Sequence, residues 1–454
     1  MISIGIPKGT RDFYGSQILK RKYIFDILTE IFTKYGYEPL ETPALENLNV
    51  LLGKYGEEAD KLIFRILNSG NFLSEVDNEM LEKKNYNAIA NAICEKGLRY
   101  DLTVPLARYV AMNYNNITFP FKRYQIQPVW RADKPQRGRY REFYQCDIDI
   151  VGSDSLLNEV ELIQIIDDFF NTINLKVKII INHRNILYGL AKFFNLHNNF
   201  DRFTNIIDKV EKIGLDEVHK QLNVITSEAD KIVQFLEEVE KIRCNYEKLN
   251  FIENKIQEEH IQLGVKDIRF ILEKLDGIKI KTEINYSIKL SRGLSYYTGA
   301  IFEVKSLEYE IGSICGGGRY DNLTQIFGIK NISGVGVSFG ADRIYDVLEA
   351  TNKFPEKLYN LKKVLIIIMN DKFFSYANKL ANELRKNNII AFIHPDYDSK
   401  IKKLFSYANK KNFNYVIIIG EDEYNTQTIT IKNLNTGNQI NVENEKILNS
   451  IYEI

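Results

Sequence analysis

Cysteine is scarce in this chain, and the patterns it usually serves are missing. The four cysteines, Cys94, Cys146, Cys244 and Cys315, stand far apart in 454 residues, with no C-x-x-C pair. That argues against a zinc ribbon and against a disulfide framework, and it fits free thiols in a reducing compartment. Net charge is lacking as well. Lys and Arg number 60 and Asp and Glu number 60, so bulk charge gives no reason to expect nucleic acid or membrane, and any basic surface must be local. No apolar run approaches the length needed to span a bilayer. The opening MISIGIPKGTRDFYG has neither the apolar core of a signal peptide nor the Arg/Ser bias of a transit peptide. Together these absences predict a soluble, cytoplasmic chain.

What is present is enough for several cores. At 44% hydrophobic residues and 454 positions, two or three domains are expected. In SQILKRKYIFDILTEIFTKY (16–35), Leu19, Tyr23, Ile27, Ile31 and Tyr35 recur every fourth residue, and Ile24, Leu28 and Phe32 extend the stripe. This predicts an amphipathic helix closed by Gly36. Pro39 and Pro43 then force an extended or edge segment. LRYDLT (98–103) and residues 122–151 read as strands, 155–173 as helix, and VKIIIN (177–182) as strand. From about 184 to 275 the pattern is helical and charged, as an insertion between strand-rich regions would be. Strands resume in INYSIKL, AIFEV and GVGVSFG. After a linker at 351–360, VLIIIM, IIAFI and YVIIIG alternate with helical stretches, which argues for a compact α/β domain.

One stretch breaks the charge balance. WRADKPQRGRYREFYQ (130–145) carries Arg131, Lys134, Arg137, Arg139 and Arg141 against Asp133 and Glu142. With strand periodicity of two, Tyr124, Ile126, Pro128 and Trp130 share a face before the turn, as do Tyr140, Tyr144, Cys146, Ile148 and Ile150 after it. The opposite, odd face carries Arg123, Gln125, Gln127, Arg131, Arg139, Arg141, Phe143, Gln145, Asp147 and Asp149. Lys134-Pro-Gln-Arg-Gly138 supplies the turn. Two readings stay open from spacing alone. The polar face is either solvated and laced with ion pairs, or it is a nucleotide site in which arginine forks meet phosphate and the lone Phe143 meets a base.

Here the residues resemble a known family. RxD followed by RGRYREFYQCDIDIVG is similar to motif 2 of class II aminoacyl-tRNA synthetases in the form used by the histidyl-tRNA synthetases. PKGTRDF and YGYEPLETPALE resemble that family's start and motif 1. LRYDLTVPLARY, LSRGLSYYTGAIFEV and CGGGRYDNL resemble its histidine-site segments, GVGVSFGADRIYDVL its motif 3, and TIKNLNTGNQ its C-terminal domain. The resemblance implies an α+β fold: an antiparallel catalytic sheet flanked by helices, a helical insertion and a C-terminal α/β anticodon-binding domain. The corresponding boundaries are 1–182 and 283–350 for the catalytic domain, 183–282 for the insertion and 361–454 for the anticodon-binding domain. It also implies a homodimer, with residues 36–46 at its interface.

Carried over residue by residue, the resemblance gives Arg131 the α-phosphate of ATP and the charge developing on it. Phe143 stacks on adenine, with Arg343 on the other face, Arg139 on the β/γ-phosphates and Arg292 on the α-phosphate from the histidine side. Gln145, Asp101 and Thr103 bind the α-amino group of histidine, the last two being expected on one face of a strand. Asp149 and Tyr297 hold the imidazole, with Tyr296 beside them. From the residues alone, Asp101 reads equally as a turn or helix cap, Arg343 as an ordinary helix-face ion pair, and Gly316, Gly317 and Gly318 as a bend. None of His183, His197, His219, His260 and His394 lies in these motifs, so no histidine base and no protein metal ligand is expected. Mg²⁺ is expected on the ATP phosphates.

Three positions depart from the family pattern. Ser295 stands where the family usually has Asp, Asp133 stands for a common Glu, and Asp101-Leu-Thr103 replaces a common Glu-Gly-Thr. Near the C-terminus, Lys379, Arg385, Lys386, Lys400, Lys402, Lys403, Lys410 and Lys411 outnumber Glu383, Asp396 and Asp398. In this family context that favours contact with tRNA over a merely solvated helix face. The rival reading is a non-catalytic paralogue that regulates histidine biosynthesis. It normally lacks the C-terminal domain and some active-site residues.

Overall fold

The computed structural model describes residues 4–53, 62–136, 138–292, 296–358, 361–397 and 399–453. Arg137, Ser295 and Asp398 therefore lie outside the described residues. The chain divides into two compact units, 1–354 and 355–454.

In chain order the strands of the first unit are β1 (Glu38–Pro39), β2 (Leu45–Asn47), β3 (Phe64–Ile66), β4 (Lys96–Leu98), β5 (Phe121–Trp130), β6 (Glu142–Val151), β7 (Val177–His183), β8 (Glu283–Tyr286), β9 (Ala300–Ser306), β10 (Ser313–Tyr320) and β11 (Gly334–Gly340). Eight of them form one sheet in the order β1-β5-β6-β11-β10-β9-β7-β8, while β2, β4 and β3 form a small second sheet. The large sheet is antiparallel except at its two ends, where β1 joins β5 and β8 joins β7 in parallel. Helices from Arg184 to Asp276 fill the long excursion between β7 and β8.

The hairpin that the charge pattern singled out is β5–β6. Its register pairs Trp130 with Glu142 and Arg123 with Asp149, so odd positions face odd positions throughout. On the even face Cys146, Ile148 and Ile150 are buried. Phe339 of β11, paired with Cys146, meets Phe32 of the helix Ser16–Lys34 at 5.7 Å and Phe169 of the helix Leu157–Thr172 at 5.2 Å between ring centroids. Fully burying such rings is worth about 1.5–3 kcal/mol each, and this layer anchors the sheet. The first helix buries Ile24, Leu28, Ile31 and Phe32 and leaves Leu19 exposed. The buried part of the expected stripe is thus its centre, and its N-terminal end at Leu19 is exposed. Gly36 takes φ 79° just past its end, the conformation that favours glycine after a helix.

The second unit carries β12 (Lys363–Ile368), β13 (Ile390–Ile393), β14 (Tyr415–Ile419), β15 (Thr428–Asn433) and β16 (Gln439–Glu443) in the order β13-β12-β14-β15-β16. The first three strands are parallel and the last two add antiparallel. The run VLIII is apolar at every position because β12 is covered on both faces. Val364, Ile366 and Ile368 pack with the helix Phe374–Lys386, and Leu365 and Ile367 pack with the helix Ile401–Lys410. Lys400, Lys402, Lys403, Lys410 and Lys411 are exposed. Arg385 differs from them: its guanidinium donates to the Ala391 carbonyl at 3.1 and 3.0 Å and so holds β13 to the preceding helix.

Candidate active site

The site is made by what the sheet leaves out. Next to Gln145, Asp147 and Asp149 on β6, the cross-strand partners on β11 are Gly340, Ser338 and Gly336. On β10, Gly316 pairs with Ser338 and Gly318 with Gly336. These small residues cannot fill the space in front of the sheet, so a cleft of about 720 Å³ remains above them. The glycines are also required by contact. A Cβ on Gly336 would collide with the Asp149 carboxylate, and one on Gly316 with the Arg292 guanidinium.

One end of the cleft is cationic. Arg131, Arg139, Arg292 and Arg343 all line it. Arg131 leaves the end of β5 and is aimed by a hydrogen bond from Nε to the Tyr100 carbonyl at 2.9 Å; its guanidinium lies 5.2 Å from the Phe143 ring. Arg343, third in the helix Ala341–Ala350 that follows β11, donates to the carbonyls of Gly138 at 2.7 Å and Ser313 at 2.6 Å. That bond ties the turn of the β5–β6 hairpin to β10. Burial pushes the Arg343 pKa down, and the charges of Arg139, Arg131 and Arg292 push it down further. Guanidinium groups that repel one another around a shared space make a site for a polyanion. Arg139 is half exposed and sits 3.9 Å from Asp133, the only carboxylate ion-paired to it among the described residues.

The other end is acidic and buried. Asp149 receives the Tyr320 hydroxyl at 2.5 Å and the Arg123 guanidinium at 2.7 Å. Asp147 and Asp101 are buried beside it. Desolvation pushes the Asp147 pKa up to about 7, against the pull of Arg123 and with the push of Asp149. Desolvation likewise lifts Asp101 to about 6, although the Val104 amide and the charges of Arg131 and Arg123 oppose it. Asp101 Oδ2 and Gln145 Oε1 are buried acceptors with no donor among the described residues. Such oxygens are costly unless something supplies a donor. Tyr296 and Tyr297 close this end, with ring centroids 4.6 Å apart. Burial also pushes the Cys315 thiol up, so this cleft-lining cysteine offers no thiolate nucleophile.

A family model described as histidyl-tRNA synthetase matches residues 95–344, and one described as anticodon binding domain matches residues 363–454. The chain belongs to the histidyl-tRNA synthetase family. The histidine–tRNA ligase of Bacteroides fragilis (strain ATCC 25285) is 48% identical over 448 residues, 98% of each chain, and that of Azobacteroides pseudotrichonymphae is 46% identical over 454 residues, covering 99% of this chain and 98% of its own. Among solved structures, the histidyl-tRNA synthetase from Nostoc sp. PCC 7120 superposes with a TM-score of 0.77 at 29% identity, covering 100% of this chain and 99% of that one. A Bacillus halodurans protein described as an ATP phosphoribosyltransferase regulatory subunit/histidyl-tRNA synthetase shares the fold, with a TM-score of 0.72 at 21% identity over 92% of this chain and 99% of its own.

Every residue that the family resemblance singled out lines this one cleft: Asp101, Thr103, Arg131, Arg139, Phe143, Gln145, Asp149, Arg292, Tyr296, Tyr297 and Arg343. Four local readings are corrected. LRYDLT is not a strand beyond Leu98; Asp101 Oδ1 accepts the Val104 amide at 3.1 Å, and Thr103 opens the helix Thr103–Met112. The cap reading of Asp101 therefore holds, and the residue still lines the cleft. Tyr296 and Tyr297, adjacent in sequence and so expected to point to opposite faces of a strand, instead precede β9. Gly316–Gly318 are regular β10, not a bend, and Arg343 is held by carbonyls, with no ion pair to it among the described residues.

Sequence reasoning passed over Arg123, Asp147, Tyr320 and Ser338. Arg123 is fully buried against Asp149, and Gln145 donates to Ser338 at 2.9 Å. The odd-face alternation already placed Arg123 and Asp147 beside the chosen residues. Tyr320 and Ser338 lie in two segments that carried the resemblance, but that they meet Asp149 and Gln145 became visible only with the β-strand register.

Proposed function

We propose that this histidine–tRNA ligase activates histidine in the cleft described above by aligning it with ATP between a cationic and an acidic end. The observation that carries the reading is the pairing of the arginine cluster with two buried acceptors, Asp101 Oδ2 and Gln145 Oε1, that have no donor among the described residues. An α-ammonium group supplies the donors those oxygens lack, with the Thr103 hydroxyl beside them. Asp149 and Tyr297 take the imidazole, and Tyr296 packs next to it. Asp149 is already fixed by Tyr320 and Arg123, so it enters as an oriented acceptor.

The histidine carboxylate, ionised at neutral pH, attacks the α-phosphorus of ATP. A bond forms from carboxylate oxygen to phosphorus, and pyrophosphate leaves with the bonding pair. No protein base is needed. Arg131 and Arg292 stabilise charge on the α-phosphate, Arg139 holds the β/γ-phosphates, and Phe143 and Arg343 sandwich adenine. Mg²⁺ belongs to the ATP as its counter-ion. Among the described residues no group of three or more His, Cys, Asp and Glu is placed to hold a metal, and no step is assigned to the ion. A ribose hydroxyl of the terminal adenosine of tRNA(His) then attacks the acyl carbon of the adenylate; the ester bond forms, the bond from acyl carbon to phosphate oxygen breaks, and AMP leaves while the hydroxyl proton passes to a phosphate oxygen.

The exposed lysines of 379–411 contact the tRNA. The site is cytoplasmic, and no helix among the described residues is long and apolar enough to cross a membrane. The family homodimer forms through 36–46, a reading supported by the edge position of β1 and the exposure of Pro39, Glu41, Pro43 and Leu45. The insertion is taken as 183–282 and the anticodon-binding domain as 361–454. The test is charging of a tRNA(His) transcript with labelled histidine. Wild type charges it. Asp149→Ala loses histidine activation while ATP binding stays near normal. A chain that charges nothing would return the regulatory paralogue as the better reading.

A further inference from the structure

Asp208 is one of several carboxylates in the cleft that the activation step does not use. It belongs to the helical excursion, one residue beyond the helix Phe200–Ile207. Its Oδ1 accepts the backbone amides of Ser291 at 3.4 Å and Arg292 at 3.2 Å. One helical turn earlier, the Thr204 carbonyl accepts the Ser291 hydroxyl at 2.9 Å, and both of those residues are buried. The held segment is unusual: Arg292 has φ 56°, a conformation that non-glycine residues keep only when the surroundings impose it. Beyond that backbone the Arg292 side chain runs across Gly316 and donates to the Phe302 carbonyl at 3.1 Å. The direction of the guanidinium is therefore set at one end by β9 and at the other by a clamp built from the inserted helices.

We propose that Asp208 is a positioning residue for adenylate formation: it locks the Arg292 backbone in its left-handed conformation and so aims the guanidinium at the reacting phosphate. The helical excursion is then part of the activation machinery. The inference rests on the reading of Arg292 as a phosphate-contacting group. What matters in Asp208 is the place of one acceptor oxygen, not the charge. Asn keeps that oxygen and drops the charge; Glu keeps the charge and displaces the oxygen.

The experiment measures histidine-dependent ATP–pyrophosphate exchange in the full-length chain, with melting temperatures alongside. Asp208→Ala should lower kcat by about 10- to 100-fold, the scale of a small misalignment, with KM for histidine and ATP nearly unchanged. Asp208→Asn should restore most of the rate, and Asp208→Glu should restore less. Combining Asp208→Ala with Arg292→Ala should cost no more than Arg292→Ala alone, because the two act through one group. A wild-type rate for Asp208→Ala, a Glu variant equal to or better than the Asn variant, or multiplying losses in the double variant would each overturn the proposal. The Asn and Glu comparison decides the matter even if the Ala variant fails to fold. A wild-type rate for Arg292→Ala would instead remove the underlying reading of Arg292, and the clamp's role with it.

Discussion

Asp101 shows at the scale of one residue how binding and stability oppose each other. Its folded pKa is raised to about 6 from a usual 3.8, so the folded protein holds that proton more tightly than the unfolded chain does. This group therefore favours folding at low pH and opposes it as pH rises through about 4 to 6; the penalty is on the order of 2–3 kcal/mol. Asp101→Asn should raise the melting temperature of the ligand-free protein more at pH 8 than at pH 4. The same change should lower kcat/KM for histidine about 10- to 100-fold, the worth of one or two hydrogen bonds to a charged partner, with KM for ATP little altered. In the wild type KM for histidine should climb as pH falls through about 6, because protonation removes the acceptor. The imidazole of the substrate titrates in the same range, so the contribution of Asp101 is the difference between wild-type and Asp101→Asn profiles. The odd-face alternation of β6 made Gln145 and Asp149 legible in advance. Asp101 was misplaced onto a strand because a side chain that caps a helix has no periodicity to reveal it.

At the scale of elements, the glycine-lined strands and their brace define the site. Gly316→Ala should push Arg292 off its seat on β10 and cut adenylate formation by one to two orders of magnitude, the usual cost of misplacing a catalytic group, while the fold survives; exchange kinetics and circular dichroism together check this. β10 is fixed from outside by Arg319, whose guanidinium meets the Glu159 carboxylate at 2.6 and 2.7 Å in full burial. Glu159→Ala would strand that cation and should destabilise the chain by about 3–5 kcal/mol, measurable by denaturant unfolding. The long strands announced themselves through alternation (β6) or unbroken apolar runs (β12). β10 did not, since CGGG has no side chains to alternate and glycine more often marks a bend. Its strand character comes from β9 and β11 on either side, information that local sequence does not contain.

For the whole molecule, two units with separate sheets divide the labour. The second unit has its own cores around β12 and β14, and deleting 355–454 should leave histidine-dependent pyrophosphate exchange in place while tRNA charging collapses. If charging persisted, the lysine-rich helices would not be the tRNA-binding surface. The neutral overall charge hid both the arginine cluster and the exposed lysines, because local excesses cancel in a total; they emerged only when charge was read segment by segment. The central claim is that one cleft is cationic for ATP at one end and shaped for histidine at the other. It is tested most directly by ATP–pyrophosphate exchange with each of the twenty amino acids in turn. The account predicts exchange with histidine alone; exchange supported by a different amino acid, or by none, would contradict it.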